Sequence, residues 1–124
     1  MAISRNFLLI GTVYLLVGIG LGSHMGASGD HSLSPVHAHI NLLGFVLMAV
    51  FGLAYRVLPA MAAGALGRAH FWLHQIGALV LLLALFLMMS GRVAAESIGP
   101  VIPLAELAIL AGVLCFLVNL WRHA

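Results

Sequence analysis

The stretch that decides the fold is SPVHAHINLLGF, residues 34–45, which opens a long apolar segment. Pro35 suits the first turn of a helix, where its missing N–H leaves no bond unmade. An α-helix turns about 100° per residue, so positions two apart differ in direction by about 200°. We therefore expect His37 and His39 at nearly the same depth on opposite sides of one helix. A helix of this kind can serve two sites.

The composition around this stretch is that of a membrane protein. The chain has 124 residues, of which 64% are hydrophobic and only 6% charged, whereas a soluble domain needs a charged surface. The small basic excess is too little for a nucleic-acid surface, so we expect no nucleic-acid partner. The single cysteine, Cys115, excludes an internal disulfide. Seven histidines in so uncharged a chain are the anomaly that needs an explanation.

Proline and glycine divide the chain into apolar segments of about 20 residues, enough to cross a bilayer. We predict helices at about 6–24, 35–58, 68–90 and 100–121. They form a single four-helix transmembrane domain over residues 1–124, so the fold class is an all-α membrane bundle in contact with the lipid bilayer. Gly11, Gly18 and Gly22 give the first helix a smooth face for close contact with a neighbour.

The arginines predict the orientation, because basic residues favour the cytoplasmic side. The arginines at the N-terminus, between the second and third helices and at the C-terminus are Arg5, Arg56, Arg68 and Arg122. The opposite side has only Arg92, with Asp30 and Glu96. We expect both termini in the cytoplasm and the protein in the bacterial inner (cytoplasmic) membrane.

The histidines indicate two kinds of role. His37 and His39 are candidate axial ligands of haem iron, since they share the outer third of one helix and face opposite ways. Zinc or copper also accepts imidazole, but residues two apart on a helix cannot converge on one ion. His70 and His74 have the spacing to clamp a metal, yet no carboxylate or cysteine lies near them in sequence, and we interpret them as structural. We expect about 20 Å of depth between His39 and His74, too far for one shared metal ion.

Other polar residues are candidates for supporting roles. His24 and His31 are alternative haem ligands or partners of the haem propionates. Arg92 is the candidate propionate partner, because carboxylates pair well with arginine. Glu106 lies inside the fourth helix and is either a proton-handling group or a polar contact between copies of the chain.

Two stretches carry a resemblance to a known family. SPVHAHINLLGFVLMAVFGLAYRVLP, residues 34–59, resembles a helix of the catalytic subunit of haem–copper oxidases, especially the cbb3-type oxidases and nitric oxide reductases. AHFWLHQIGALVLLLALFLMMSG, residues 69–91, resembles the helix that follows it. In that family a histidine-x-histidine pair ligates two haems, one on each side of the helix. The resemblance implies haem b as cofactor, with His37 and His39 as axial ligands.

The resemblance also has limits that shape the prediction. The family's subunit has three four-helix arcs about a pseudo-threefold axis, and this chain corresponds to one arc. It has no counterpart of the histidine cluster and tyrosine that bind copper, so the resemblance does not extend to oxygen reduction. Three copies could close a ring, in which His37 of one copy and His39 of the next would ligate one haem b. A homotrimer is favoured, and a dimer that uses His24 or His31 is the alternative.

Three functions follow from this reading of the sequence. The favoured one is electron transfer by a membrane cytochrome b with bis-histidine ligation, which leaves no open position on the iron and needs a quinol or redox-protein partner. The second is a gas-binding or catalytic haem protein for nitric oxide or oxygen, with an open iron position. The third is a haem carrier or a non-redox assembly subunit. Whether the protein is an enzyme stays open, and an electron-transfer protein is favoured over a complete oxidase.

Overall fold

Four long helices make up the computed structural model, which describes residues 1–124. They are α1 (Ile3–Ser28), α2 (Ser34–Val57), α3 (Ala65–Met89) and α4 (Val101–His123). A 3₁₀ turn, Pro59–Ala62, links α2 to α3, and one helical turn, Ala95–Ile98, precedes α4. Each of the four spans is long and apolar enough to cross a membrane. The predicted all-helical class with four spans is confirmed.

The helix ends differ from the predicted bounds for identifiable reasons. α1 continues past residue 24 to Ser28, and Gly29 ends it in the left-handed conformation with φ 70°. Glycine adopts this conformation without the Cβ penalty of other residues, and its N–H closes the helix on Met25 O. α3 begins at Ala65 rather than at 68, so His74 lies about 4–5 Å further along its helix than expected.

α1 packs against α2 through the predicted glycine face. Gly11 lies under Met48, and Gly18 lies under the side-chain amide of Asn41. A Cβ added to Gly22 would lie only 2.8 Å from Cε1 of His37. The glycines thus make room for two polar side chains of α2 that would otherwise face lipid, and the prediction of a close helix contact is confirmed.

The contact is reciprocal, because α2 also contributes glycines. Tyr14 of α1 covers Gly44, where an added Cβ would lie 2.7 Å from the tyrosine Cγ. The side chain of Leu8 packs against Gly52. The Ser4 hydroxyl donates a hydrogen bond of 2.8 Å to the carbonyl of Gly52. Small residues on both helices therefore bring the two backbones together along most of their length.

α4 is the outermost helix and packs mainly on α3. Gly77 of α3 fits against Ile109, and Gly112 of α4 fits against Leu73. Near its C-terminal end, Asn119 donates a hydrogen bond of 2.8 Å to Met61 O and so fixes α4 to the 3₁₀ turn. The remaining face of α4 is apolar and exposed, as expected of a helix in contact with lipid or with another protein.

α2 is not a continuous α-helix. A π-helical segment, Ile40–Val46, separates the α-helical Ser34–His39 from Leu47–Val57. The N–H of Leu47 bonds to Leu42 O, five residues back, instead of to Leu43 O. The π segment takes up one extra residue, so residues 34–39 are turned by about 100° relative to a continuous α-helix. The direction of His37 and His39 depends on this segment.

Candidate haem site and the buried histidines

His37 lies in the contact between α1 and α2. Its ring packs on Gly22, and its Nε2 accepts a hydrogen bond of 3.2 Å from the Asn41 amide. Because the amide nitrogen is the donor, the proton of the neutral ring is on Nδ1. That Nδ1 and the Asn41 Oδ1 are buried without a partner. The bond between Asn41 and His37 lies within α2, four residues apart on the same helix.

His39 faces away from α1 and is exposed. Its Nδ1 lies 2.7 Å from Pro35 O. A carbonyl only accepts, so Nδ1 donates and the lone pair of the neutral ring is on Nε2. Histidines that bind metals usually have this arrangement, in which the second nitrogen donates to a backbone carbonyl and fixes the ring.

The two candidate ligands therefore fit haem iron unequally. His39 offers a free Nε2 on the surface of α2 as it stands. His37 would have to leave Asn41 and turn out of the α1 contact before its Nε2 could bind a metal. Within one chain no group of three or more histidine, cysteine or acidic residues could hold a metal ion.

The residues with predicted supporting roles lie at the same end of the bundle as His39 but make no hydrogen bond with it. Arg92 is exposed, with its guanidinium carbon 5.8 Å from the centre of the Phe86 ring. His24 and His31 are exposed on either side of Asp30. Hydrogen bonds from Ser32 hold the pKa of the Asp30 carboxyl below its usual value, and the two histidines act in the same direction. The haem roles of Arg92, His24 and His31 stay predictions.

A wide groove of about 590 Å³ runs between α1, α2 and α3 near this end of the bundle. Val36 and Ile40 form its floor, and Tyr14, Leu82 and Phe86 belong to its walls. Neither His37 nor His39 lines it.

His70 and His74 form the polar part of an aromatic core. Both side chains are fully buried. The ring of Phe51 stands perpendicular to that of His70 with the ring centres 4.4 Å apart, and Phe7 lies within 5.2 Å of His70 and 6.0 Å of His74. His70 Nδ1 shares a hydrogen bond of 2.8 Å with the Tyr55 hydroxyl. This agrees with the interpretation of both as structural residues.

His74 has a partner that the sequence did not indicate. Its Nε2 lies 3.2 Å from Leu43 O, the carbonyl that loses its usual donor in the π segment. Leu43 is four residues from His39, so the expected depth of about 20 Å between His39 and His74 is too large. The early start of α3 accounts for part of the difference. The free nitrogens, Nε2 of His70 and Nδ1 of His74, are buried without partners.

Glu106 is exposed on the apolar face of α4 and makes no hydrogen bond within the chain. Its carboxyl group therefore has no partner within the chain, which is an unfavourable arrangement for a polar group in lipid. Both predicted roles, a proton-handling group and a contact between copies, stay predictions.

Comparisons with protein-family models, with curated proteins and with solved structures found no match to this chain.

Proposed function

We propose that the protein is a membrane haem b protein in which His39 supplies an axial ligand from the exposed face of α2. The observation that supports this is the Nδ1 bond to Pro35 O, which leaves Nε2 of this exposed ring free. An imidazole at membrane depth without a partner is unfavourable, and coordination to iron gives Nε2 a partner. The family resemblance of residues 34–59 supports the same cofactor.

The second ligand in this proposal is His39 of a second copy. Two copies related by a twofold axis along the membrane normal have their His39 side chains at equal depth, so both would be able to hold one haem. The ring of three, with His37 of one copy and His39 of the next, needs His37 to break its bond with Asn41. The pair of His39 residues needs no such change.

The chemistry that bound haem supplies is reversible one-electron transfer, and two imidazoles leave no open position on the iron. The residues of the chain orient the ligand and exclude water. Pro35 O holds the proton on Nδ1 of His39, which orients the ring and makes Nε2 a better ligand. Leu42 and Val46, exposed on the same side of α2, would exclude water from the site. A quinol or a redox protein would exchange the electron.

The test is haem content and optical spectra of the detergent-purified protein. We expect His39→Ala to abolish haem binding, and His37→Ala, His24→Ala and His31→Ala to retain it. His70→Leu serves as a control for damage to the core. Retention of haem with unchanged spectra in His39→Ala would contradict the proposal. Loss of haem in both His37→Ala and His39→Ala would instead support the ring of three.

The same preparation separates the alternative functions. Reduced haem b bands that carbon monoxide does not move indicate two histidine ligands and electron transfer. A shift on adding carbon monoxide indicates an open iron position, and thus a protein that handles nitric oxide or oxygen. Absence of haem even after reconstitution would contradict haem binding and favour a non-redox assembly subunit.

A further inference from the structure

The π segment of α2 leaves one backbone carbonyl for a side chain of α3. Leu47 N–H donates to Leu42 O, so Leu43 O has no donor in the position usual for an α-helix. His74 donates through Nε2 to this carbonyl at 3.2 Å. It is the one hydrogen bond from an α3 side chain to the α2 backbone, and the His74 side chain is fully buried.

The energetics link this bond to the helical register. A buried carbonyl without a donor is unfavourable. Without His74, Leu43 O recovers a donor if Leu47 N–H returns to it and α2 becomes a continuous α-helix. We infer that His74 is a positioning residue that holds α2 in its π register and thereby sets the direction of His37 and His39. The consequence for haem rests on the proposed function, whereas the register can be tested without haem.

The geometry of the alternative register is specific. Removing the π segment turns residues 34–39 by about 100° and moves them by about 1.5 Å along the helix. Each residue of this segment then occupies the position that the residue before it in the sequence occupies in the π register. His37 would enter the buried place of Val36, Ala38 would face Gly22, and Val36 would move to the exposed place of Pro35. His39 would no longer point at the His39 of a second copy.

The main experiment measures the exposure of position 36. Val36 is 1% exposed, and the native thiol is removed with Cys115→Ala. We expect Val36→Cys in this background to resist a water-soluble maleimide. Adding His74→Ala should raise its labelling rate about tenfold or more, because the loss of the carbonyl's donor favours the continuous α-helix.

Two further variants separate positioning from simple damage. His74→Gln places an amide nitrogen as far from Cβ as Nε2 of histidine, so it can donate to Leu43 O and should restore slow labelling. His70→Leu disturbs the same aromatic core without touching this carbonyl, and labelling should stay slow. Equal labelling rates in all three variants, or slow labelling of Val36→Cys in His74→Ala, would overturn the inference.

The haem spectrum gives a second readout. We expect His74→Ala to lose or weaken the spectrum of the bis-histidine form, and His74→Gln to keep it. An unchanged spectrum in His74→Ala contradicts a positioning role toward His39. If the native chain binds no haem, the proposed function fails, and the labelling of Val36→Cys still decides whether His74 sets the register.

Discussion

The histidines of this chain differ chiefly in which ring nitrogen is occupied. His37 and His74 use Nε2 in hydrogen bonds, whereas His39 and His70 use Nδ1. Two exposed histidines have a bonded Nδ1. They are His39 of α2 and His123, whose Nδ1 lies 2.9 Å from Asn119 O at the C-terminal end of α4. Histidine therefore has three roles in this chain: it packs between helices, it belongs to the buried core, or it is a candidate metal ligand. The hydrogen-bond partners of each ring determine its role.

At the level of single residues, Tyr55→Phe tests the bond that joins α2 to His70. The hydroxyl lies 2.8 Å from His70 Nδ1, and both side chains are buried. Removing it leaves Nδ1 without a partner, so we expect the free energy of unfolding to fall by about 1–3 kcal/mol. Denaturation in mixed detergent micelles measures this. The matched control is Tyr14→Phe, because the hydroxyl of Tyr14 has no hydrogen bond within the chain. This substitution should change the free energy of unfolding far less.

Glu106 gives a second prediction for a single residue. The carboxylate lies on the exposed apolar face of α4 without a hydrogen bond. Glu106→Leu should favour insertion of this segment by less than the penalty of about 2.5–3.5 kcal/mol for a charged residue at a helix centre, because Glu106 lies in the second turn of α4. Insertion into microsomes, read by glycosylation of flanking sites, measures the change. Glu96→Leu lies before the helix and should have little effect, and a similar gain from both would contradict the interpretation.

At the level of helices, the contact between α1 and α2 depends on particular glycines. A methyl group on Gly22 would meet His37 at 2.8 Å, whereas at Gly20 it would meet nothing within 4 Å. We expect Gly22→Ala to destabilise the protein by about 1–3 kcal/mol through overpacking. Gly20→Ala should be neutral or stabilising, because alanine favours helix more than glycine does. Equal effects of the two substitutions on unfolding would contradict a specific contact.

The helices and their glycine contacts could be predicted from the sequence, but the register of α2 could not. Apolar segments and proline positions define spans through composition alone, and the spacing of Gly11, Gly18 and Gly22 marks a contact face. A π segment has no such signal, because Ile40–Val46 is as apolar as an α-helix would be. It depends on a tertiary partner, the His74 donor to Leu43 O. The pairing of Tyr55 with His70 likewise depends on how two helices meet.

The candidate site was predictable only in part for a related reason. The helix geometry correctly indicates that His37 and His39 face different sides. It does not show that one side is already filled by α1, since that requires knowing which helix packs where. Asn41 illustrates the point, because its bond to His37 is local and yet its burial depends on Gly18 of another helix.

At the level of the whole molecule, the proposed pair of His39 residues predicts a stoichiometry. One haem should be present for each two copies, and the haem-bound protein should be a dimer by native mass spectrometry. His39→Ala should shift the population toward monomer, because the iron bridges the copies. One haem for each copy in a trimer would contradict the pair and favour the ring of three that the sequence predicts.

The glycine contact between α1 and α2 has a consequence for biogenesis. A ribosome delivers α1 to the bilayer before α2, so the glycine face of α1 is present when His37 and Asn41 of α2 emerge from the insertion channel. The two polar side chains can then pack against α1 at once, without first being exposed to lipid. The order of the helices along the chain thus matters: a permuted gene that places α1 last would release α2 without its shelter and expose it to quality-control proteases.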